Sequence, residues 1–293
     1  MGETNFFLQY SRAPLDHPAF NMTDQYAVIG NPIAHSKSPA IHAAFAAQTG
    51  QDLSYAPILG DLEDFAGDVR AFFSTGGRGL NVTVPFKEQA WELADQLSEQ
   101  AAAAAAVNTL TPLGDGRIRG DNTDGVGLVT DLGCNHKFNF SGARVLLLGA
   151  GGASRGVLGP LLEQGLAQLV IANRTADKAR ALAADAADSA VTGCGLDELA
   201  GGGYDLIING TAAGLSNKVP NISPDCLLSG GWVYDMMYDT SKATAFVRWG
   251  QQHGAGRALD GLGMLVEQAA EAFYLWRGIR PDTESVIQQL RMN

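Results

Sequence analysis

Lys87 and Asp124 offer the clearest chemistry in this chain, an ammonium that can give a proton and a carboxylate that can hold it. Lys87 closes the run Asn81-Val82-Thr83-Val84-Pro85-Phe86-Lys87, and Asp124 closes Asn122-Thr123-Asp124. A third polar cluster, Ser36-Lys37-Ser38, stands earlier. All three fall where strands should end, and in a parallel sheet such ends face one cleft. Hydroxyls and amides converging there suit a small polyhydroxylated ligand, with Lys87 and Asp124 as a proton donor–acceptor pair. Each cluster also has a purely structural use. Ser38 before Pro39 can cap a helix, Asn81 can satisfy a turn, and Asp124 before Gly125 can cap the helix that follows.

A second kind of chemistry lies further on. Gly149-Ala150-Gly151-Gly152-Ala153-Ser154 directly follows the apolar run Val145 to Leu148. A glycine-rich turn between a buried strand and a helix lets backbone N–H groups approach a pyrophosphate at the helix N-terminus. The next strand-like run ends in Asn173-Arg174-Thr175, where NAD-binding sheets usually carry an acidic residue for the ribose 2′-hydroxyl. Arg174 can instead pair with a 2′-phosphate, and Lys178, one turn on, adds a second positive charge. The expected cofactor is therefore NADP rather than NAD.

The elements that must position these groups follow an α/β alternation. Strand-like Tyr26 to Gly30 leads to a helix over Pro39 to Thr49, a strand over Leu53 to Leu59 and a helix over Leu62 to Ser74. Gly79 to Val84 reads as a strand and Lys87 to Gln96 as a helix; Val107 to Leu110 and Arg117 to Arg119 read as a hairpin around Gly114-Asp115-Gly116. The alanines from Ala101 to Ala106 suit a close-packed helix end. After Asp124 the alternation restarts: Val145 to Leu148, a helix over Ala153 to Gln164, Leu169 to Ala172, a helix over Ala176 to Ala187, then Leu206 to Ile208 and Trp232 to Tyr234. This is a doubly wound pattern. Leu265, Ala269, Phe273 and Trp276 mark a last helix, expected to return to the first domain and leave a cleft between the two.

Composition narrows the function classes. At 293 residues and 46% hydrophobic, the chain is long enough for two domains. A net charge of -11 argues against a nucleic-acid surface or an electrostatic membrane anchor. Cys134, Cys194 and Cys226 are too few and scattered for a disulfide framework or a zinc site, which fits a reducing, cytoplasmic setting. No run approaches the roughly 18 apolar residues of a membrane span, and no secretion signal is evident. His35 and His42 read as packing or hydrogen-bonding residues. Glu267 and Glu271, one turn apart, read as a solvated face, and no metal is expected. Residues 1–21 read as an extension without fold meaning, with Met22 as an alternative start.

Taken together, several words resemble the shikimate dehydrogenase family over Tyr26 to about Gly278. They are Gly30-Asn31-Pro32-Ile33-Ala34-His35-Ser36-Lys37-Ser38-Pro39, Asn81 to Lys87, Ala106-Val107-Asn108-Thr109, Gly120 to Gly125, and Gly261-Leu262-Gly263-Met264-Leu265 with Gln268. The resemblance implies NADPH-dependent reduction of 3-dehydroshikimate to shikimate, a step in aromatic amino-acid biosynthesis. On matching positions it implies Ser36 and Ser38 as donors to the substrate carboxylate, and Thr83, Asn108 and Gln268 as hydroxyl ligands. Lys87 and Asp124 become the catalytic pair. Gly149, Ala150, Gly151, Gly152 and Ala153 with Asn173, Arg174, Thr175 and Lys178 match the NADP-contacting segments. Met236 and Tyr238 match positions near the nicotinamide and substrate, and Gly261 a cofactor contact. Ala43 departs from the family, where many members have Asn; the neighbouring Ser-x-Ser-Pro word is intact.

The expected architecture is thus an N-terminal α/β substrate domain, residues 22–124 plus 262–293, and a Rossmann-like NADP domain, residues 125–261. The expected partner is a small molecule, with the chain a monomer or homodimer. Two other readings remain. One is a quinate or dual-specificity dehydrogenase, often able to use NAD, against which Arg174 and Lys178 argue. The other is a non-catalytic metabolite sensor, which would be expected to lose Lys87 or Asp124; both are present.

Overall fold

A computed structural model describes residues 23–199, 201–211 and 218–292, so the expectations for residues 1–21 and Met22 lie outside the described residues. Two six-stranded sheets carry the fold. The first contains β1 (Asp24–Gly30), β2 (Leu53–Leu59), β3 (Gly77–Val82), β4 (Gln96–Leu97), β5 (Thr109–Pro112) and β6 (Ile118–Asp121), in the order β2-β1-β3-β5-β6-β4. Its helices are α1 (Ser38–Thr49), α2 (Phe65–Ser74), α3 (Lys87–Leu93) and α4 (Glu99–Ala104).

This sheet is mixed rather than parallel. Strand β5 runs antiparallel to both β3 and β6; in the β5–β6 connection Gly114 and Gly116 adopt positive φ and let the chain double back. Two reversals leave β6 parallel to β3. The C-terminal ends of β1, β3 and β6 and the N-terminal end of β5 therefore share one edge, and the three polar clusters meet there after all.

Several boundaries shift for local reasons. Helix α2 starts at Phe65 rather than Leu62, because the Asp64 side chain caps it by accepting from Gly67 N at 3.0 Å. Helix α3 ends at Leu93, since Asp95 exchanges hydrogen bonds with Ile118 and Gln96–Leu97 joins the sheet beside β6. Strand β3 stops at Val82, before the Thr83 to Pro85 turn.

The second sheet contains β7 (Arg144–Leu148), β8 (Gln168–Asn173), β9 (Val191–Gly195), β10 (Tyr204–Asn209), β11 (Leu227–Asp235) and β12 (Arg257–Asp260). Its order is β12-β11-β10-β7-β8-β9 and every pairing is parallel. Helices α6 (Gly152–Leu162), α7 (Ala176–Asp185) and α8 (Ala245–Gln252) cross between strands. A parallel sheet covered on both faces wants strands apolar at every position. Val145 and Leu147 pack with Leu206 and Ile208 on one face, while Leu146 and Leu148 pack with Ile207 and Val233 on the other. Between β7 and β10 the strand order reverses, which opens a crevice at their C-terminal ends.

Helix α5 (Asp124–Thr130) and one π-helical turn, Asp131–Asn135, lead from the first sheet to the second. Helix α9 (Leu262–Arg277) leads back, followed by α10 (Glu284–Met292). As the apolar spacing required, α9 packs on the first sheet: Val266, Ala269 and Phe273 join Ile41 and Phe45 of α1, and the Trp276 ring lies tilted against Tyr26 with centroids 4.9 Å apart. Each such buried large side chain contributes about 1.5–3 kcal/mol. Among the described residues no helix is long and apolar enough to cross a membrane.

Candidate active site

Asp124 opens α5, and its carboxylate caps nothing. Oδ2 instead meets Lys87 Nζ, from the first turn of α3, at 2.5 Å, and Oδ1 accepts from Asn108 Nδ2 at 2.9 Å. The Asp124 side chain is 9% exposed and that of Lys87 22%, so this ion pair is largely desolvated while the lysine keeps some contact with solvent. An ammonium carries three donors; Asp124 takes one and leaves two for a ligand.

Asn108 ties the edge together. Its Nδ2 also donates to Thr123 Oγ1 at 3.0 Å and to Gln268 Oε1 at 3.4 Å, while its Oδ1 accepts from Thr123 N at 3.0 Å. Gln268 is held from α9 by its own donation to Leu265 O at 2.9 Å. The last helix thus delivers one amide to a site otherwise built on the first sheet. Thr83 sits at the end of β3 with its methyl against Gly30, where a Cβ would stand only 2.4 Å away. Ser38 is the first residue of α1 rather than its cap, and its backbone N–H donates to Ser36 Oγ at 3.3 Å. Asn81 serves no turn; Tyr55 donates to its Oδ1 at 2.7 Å. The capping and turn uses available to these residues are therefore not the ones the fold makes of them.

An open cleft adjoins this edge, lined by His35, Ser36 and Lys37 on one side and by Met237, Tyr238 and Thr240 on the other. Ser36 and Tyr238 thus face a common space. Burial pushes the Tyr238 phenol above its ordinary value, which keeps it protonated and able to donate. Met236 packs partly into the core of the second sheet beside Gly210, and its neighbour Met237 lines this cleft.

Across the cleft, Gly149 leaves β7 at φ +106, a conformation open to glycine, and its N–H donates to Ala172 O at 2.8 Å. Gly151 precedes α6 without any side-chain cap, and a Cβ at Gly151 or Gly152 would meet nothing within 4 Å. Uncapped N–H groups facing open space at a helix start fit an anion such as a pyrophosphate. Arg174, Thr175 and Lys178 are exposed at the β8–α7 junction, where Asn173 Nδ2 fastens the loop by donating to Thr175 O at 3.0 Å. Among the described residues neither Arg174 nor Lys178 has an ion-pair partner, so both charges face outward. Gly261 lies against Met236 O, 2.3 Å from where its Cβ would be, and accepts no side chain there.

Three sequence expectations and one residue without any meet further detail here. Glu267 is not on a solvated face: it is 5% exposed and accepts from Asn135 Nδ2 at 2.9 Å and Thr283 Oγ1 at 2.7 Å, because α10 and the π turn cover that flank. Glu271 pairs with Arg280. His42 is a packing residue as its helical position indicated, stacked on Tyr55 at 4.1 Å. Asp235 went unnoticed; it is fully buried and accepts from Asn209 Nδ2 at 3.0 Å, Thr244 Oγ1 at 2.6 Å and Met237 N at 3.2 Å. It fixes the loop that carries Met237 and Tyr238. Burial raises its carboxyl above the usual range, and the only sequence signal was its place at the end of an apolar run.

Comparisons with known proteins agree along the chain. A family model for the shikimate dehydrogenase substrate binding domain matches residues 28–110, one for shikimate / quinate 5-dehydrogenase matches 133–216, and one for the shikimate 5'-dehydrogenase C-terminal domain matches 261–291. The shikimate dehydrogenase (NADP(+)) of Cellvibrio japonicus is 56% identical over 92% of this chain and 98% of its own length. Among solved structures, an Ael1 enzyme from Pseudomonas putida is 47% identical with TM-score 0.86, covering 91% of this chain and 98% of that one. Shikimate 5-dehydrogenase from Thermus thermophilus, solved in complex with NADP(H) and shikimate, is 32% identical with TM-score 0.81, covering 92% and 99%. By site, fold and sequence, the chain belongs to the shikimate dehydrogenase family.

Proposed function

We propose that this protein is an NADP-dependent shikimate dehydrogenase that reversibly reduces 3-dehydroshikimate to shikimate in aromatic amino-acid biosynthesis. The observation that carries the reading is the Lys87–Asp124 ion pair, held at 2.5 Å, with Asp124 Oδ2 only 3.4 Å from the Cβ position of Gly156 in the helix that follows the glycine turn. NADPH, when bound along the C-terminal edge of the second sheet, supplies the hydride. Charge then builds on the carbonyl oxygen, and Lys87 Nζ gives it a proton, leaving a neutral amine and an alcohol. Asp124 holds the ammonium in place and accepts from a ligand hydroxyl. Ser36 and Ser38 take the carboxylate end of the substrate, Thr83, Asn108, Tyr238 and Gln268 its hydroxyl side, and Gly149 to Ala153, Met236 and Gly261 the cofactor. Asn173, Arg174, Thr175 and Lys178 form the 2′-phosphate end.

The same reading divides the chain into a substrate domain, residues 22–124 plus 262–293, and a cofactor domain, residues 125–261. It places a monomer or homodimer in the cytoplasm, where three cysteines without disulfides are at home. Initial rates of shikimate and quinate oxidation, each with NADP and with NAD, test it. Turnover concentrated in the shikimate–NADP pair is expected. Equal or better rates with quinate or NAD would move the protein to a dual-specificity branch, and binding without turnover would make it a sensor.

A further inference from the structure

Behind the ligand-facing edge, a largely buried line of hydrogen bonds runs in one direction from Tyr55 through Asn81 and Thr109, none of them given a ligand role above, to Asn108 and Asp124. Tyr55 of β2 donates to Asn81 Oδ1 at 2.7 Å. Asn81 Nδ2 donates to Thr109 Oγ1 at 3.1 Å and to Asn108 O at 3.2 Å. Thr109 Oγ1 donates to Asn108 Oδ1 at 2.9 Å, and Asn108 Nδ2 donates to Asp124 Oδ1 at 2.9 Å. We propose that Tyr55 and Thr109 are positioning residues for the reaction, members of a one-way donor chain that holds Asn108 and Asp124 in register with Lys87. The proposal rests on the reading of Lys87 and Asp124 as the proton-handling pair.

The direction of the chain follows from which atoms can only accept. Asn108 O is a carbonyl, so the amide group of Asn81 that faces it must be NH2, and the Asn81 oxygen must face Tyr55. Thr109 Oγ1 then receives an Asn81 proton, which leaves its own single proton for Asn108 Oδ1. Thr123 N, a donor, meets the same Oδ1. The Asn108 amide nitrogen is thereby turned to Asp124. Thr109 is 0% exposed and stands in register with Asn81 on β3 and Asp121 on β6, so the sheet holds its backbone in place. At the far end, the Tyr55 ring is clamped by His42, stacked at 4.1 Å with planes 6° apart, and Ser38 reaches the phenol. The chain therefore joins the proposed carboxylate end of the cleft to its proton-transfer end.

Thr109→Val keeps the shape and removes the hydroxyl; Thr109→Ser keeps the hydroxyl. A single neutral hydrogen bond is worth about fivefold in rate when its loss falls on the transition state. Thr109→Val is expected to lower kcat by about that factor with KM for shikimate nearly unchanged, and Thr109→Ser to restore kcat. Tyr55→Phe is expected to lower kcat as well, and the Tyr55→Phe/Thr109→Val double variant to be no slower than Thr109→Val, since the second cut falls on a broken chain. Equal losses in the Val and Ser variants, or losses that multiply in the double variant, would overturn the chain. Lys87→Ala, run alongside, separates the two ideas. A collapse there with wild-type rates in Thr109→Val overturns the chain alone, whereas wild-type rates in Lys87→Ala overturn the pair and with it the chain that serves it.

Discussion

At the scale of single residues, the buried histidine beside the site makes a pH statement. His42 is 1% exposed, its Nε2 has no partner among the described residues, and burial lowers its pKa from 6.5 to about 3. The unfolded chain therefore takes up a proton near pH 6.5 that the folded chain refuses until about pH 3. Stability follows the excess of protons bound by the unfolded state, so this residue stabilises fully above pH 6.5 and its contribution falls as pH drops towards 3. Each pH unit inside that window is worth about 1.4 kcal/mol. Urea unfolding is expected to show the wild type losing about 2 kcal/mol more than His42→Phe between roughly pH 6.5 and 5. An equal loss in both proteins would place the acid sensitivity on other groups. The same burial keeps His42 neutral at working pH, in keeping with a packing rather than a proton-carrying role.

Among elements, the decisive contacts are those of α5, a seven-residue helix squeezed between α6 and α9. A Cβ on Gly125 would stand 2.4 Å from Pro160 Cγ and 2.6 Å from Gly156 O, and one on Gly127 would stand 2.8 Å from the Gln268 backbone N and from Met264 O. Backbone cannot move aside as a side chain can, so Gly127→Ala must push α9 and Gln268 away from Asn108. A stability loss of about 1–3 kcal/mol in denaturant unfolding is expected, with a raised KM for shikimate. Gly159 on α6 has nothing within 4 Å of its Cβ position, so Gly159→Ala is expected to gain about 0.5–1 kcal/mol from helix propensity alone. A neutral Gly127→Ala would mean that α5 and α9 can separate without cost. Legibility of the elements followed the same divide between local and tertiary causes. Runs such as Val145 to Leu148 and the α9 stripe carry their partners in their own pattern, and the clustered words around Lys87 and Asp124 were readable as one edge. Strand β9 was not: Gly193 and Gly195 argue against a strand, and only pairing with β8, with Gly193 pressed 2.3 Å from Ala179 O at the Cβ position, makes it one. Thr109, Tyr55 and Asp235 were invisible as functional positions because their roles lie in hydrogen bonds between strands far apart in sequence.

For the whole molecule, the geometry asks for closure. The proposed proton donor, Lys87, sits on the first sheet and the glycine turn on the second; in the proposed reaction hydride and proton must reach one carbonyl group, which needs reacting atoms about 3–3.5 Å apart. Beside them, an open cleft separates Ser36 and Lys37 of the first sheet's edge from Met237 and Tyr238 of the second. Two chain crossings join the halves, α5 with its π turn and the start of α9, and they meet at a satisfied polar knot. Tyr234 donates to Asp131 Oδ2 at 2.7 Å, and Asn135 Nδ2 bridges Asp131 Oδ1 and Glu267 Oε1, each at 2.9 Å. Asp131, Tyr234 and Glu267 are all buried, and Gly263 leaves room for Asp131, whose carboxylate would lie 2.0 Å from a Cβ there. A packed, fully paired knot resists sliding, so movement of one sheet relative to the other has to be rotation about it rather than shear. Closure by such a rotation on ligand binding is expected to bring the Met237–Tyr238 loop towards Ser36. Small-angle scattering is expected to show a smaller radius of gyration with NADP and shikimate together than with neither, and an intermediate or unchanged value with one ligand alone. An unchanged radius with both ligands bound would mean that the open cleft is itself the reacting geometry, and that Lys87 reaches the carbonyl by side-chain movement only.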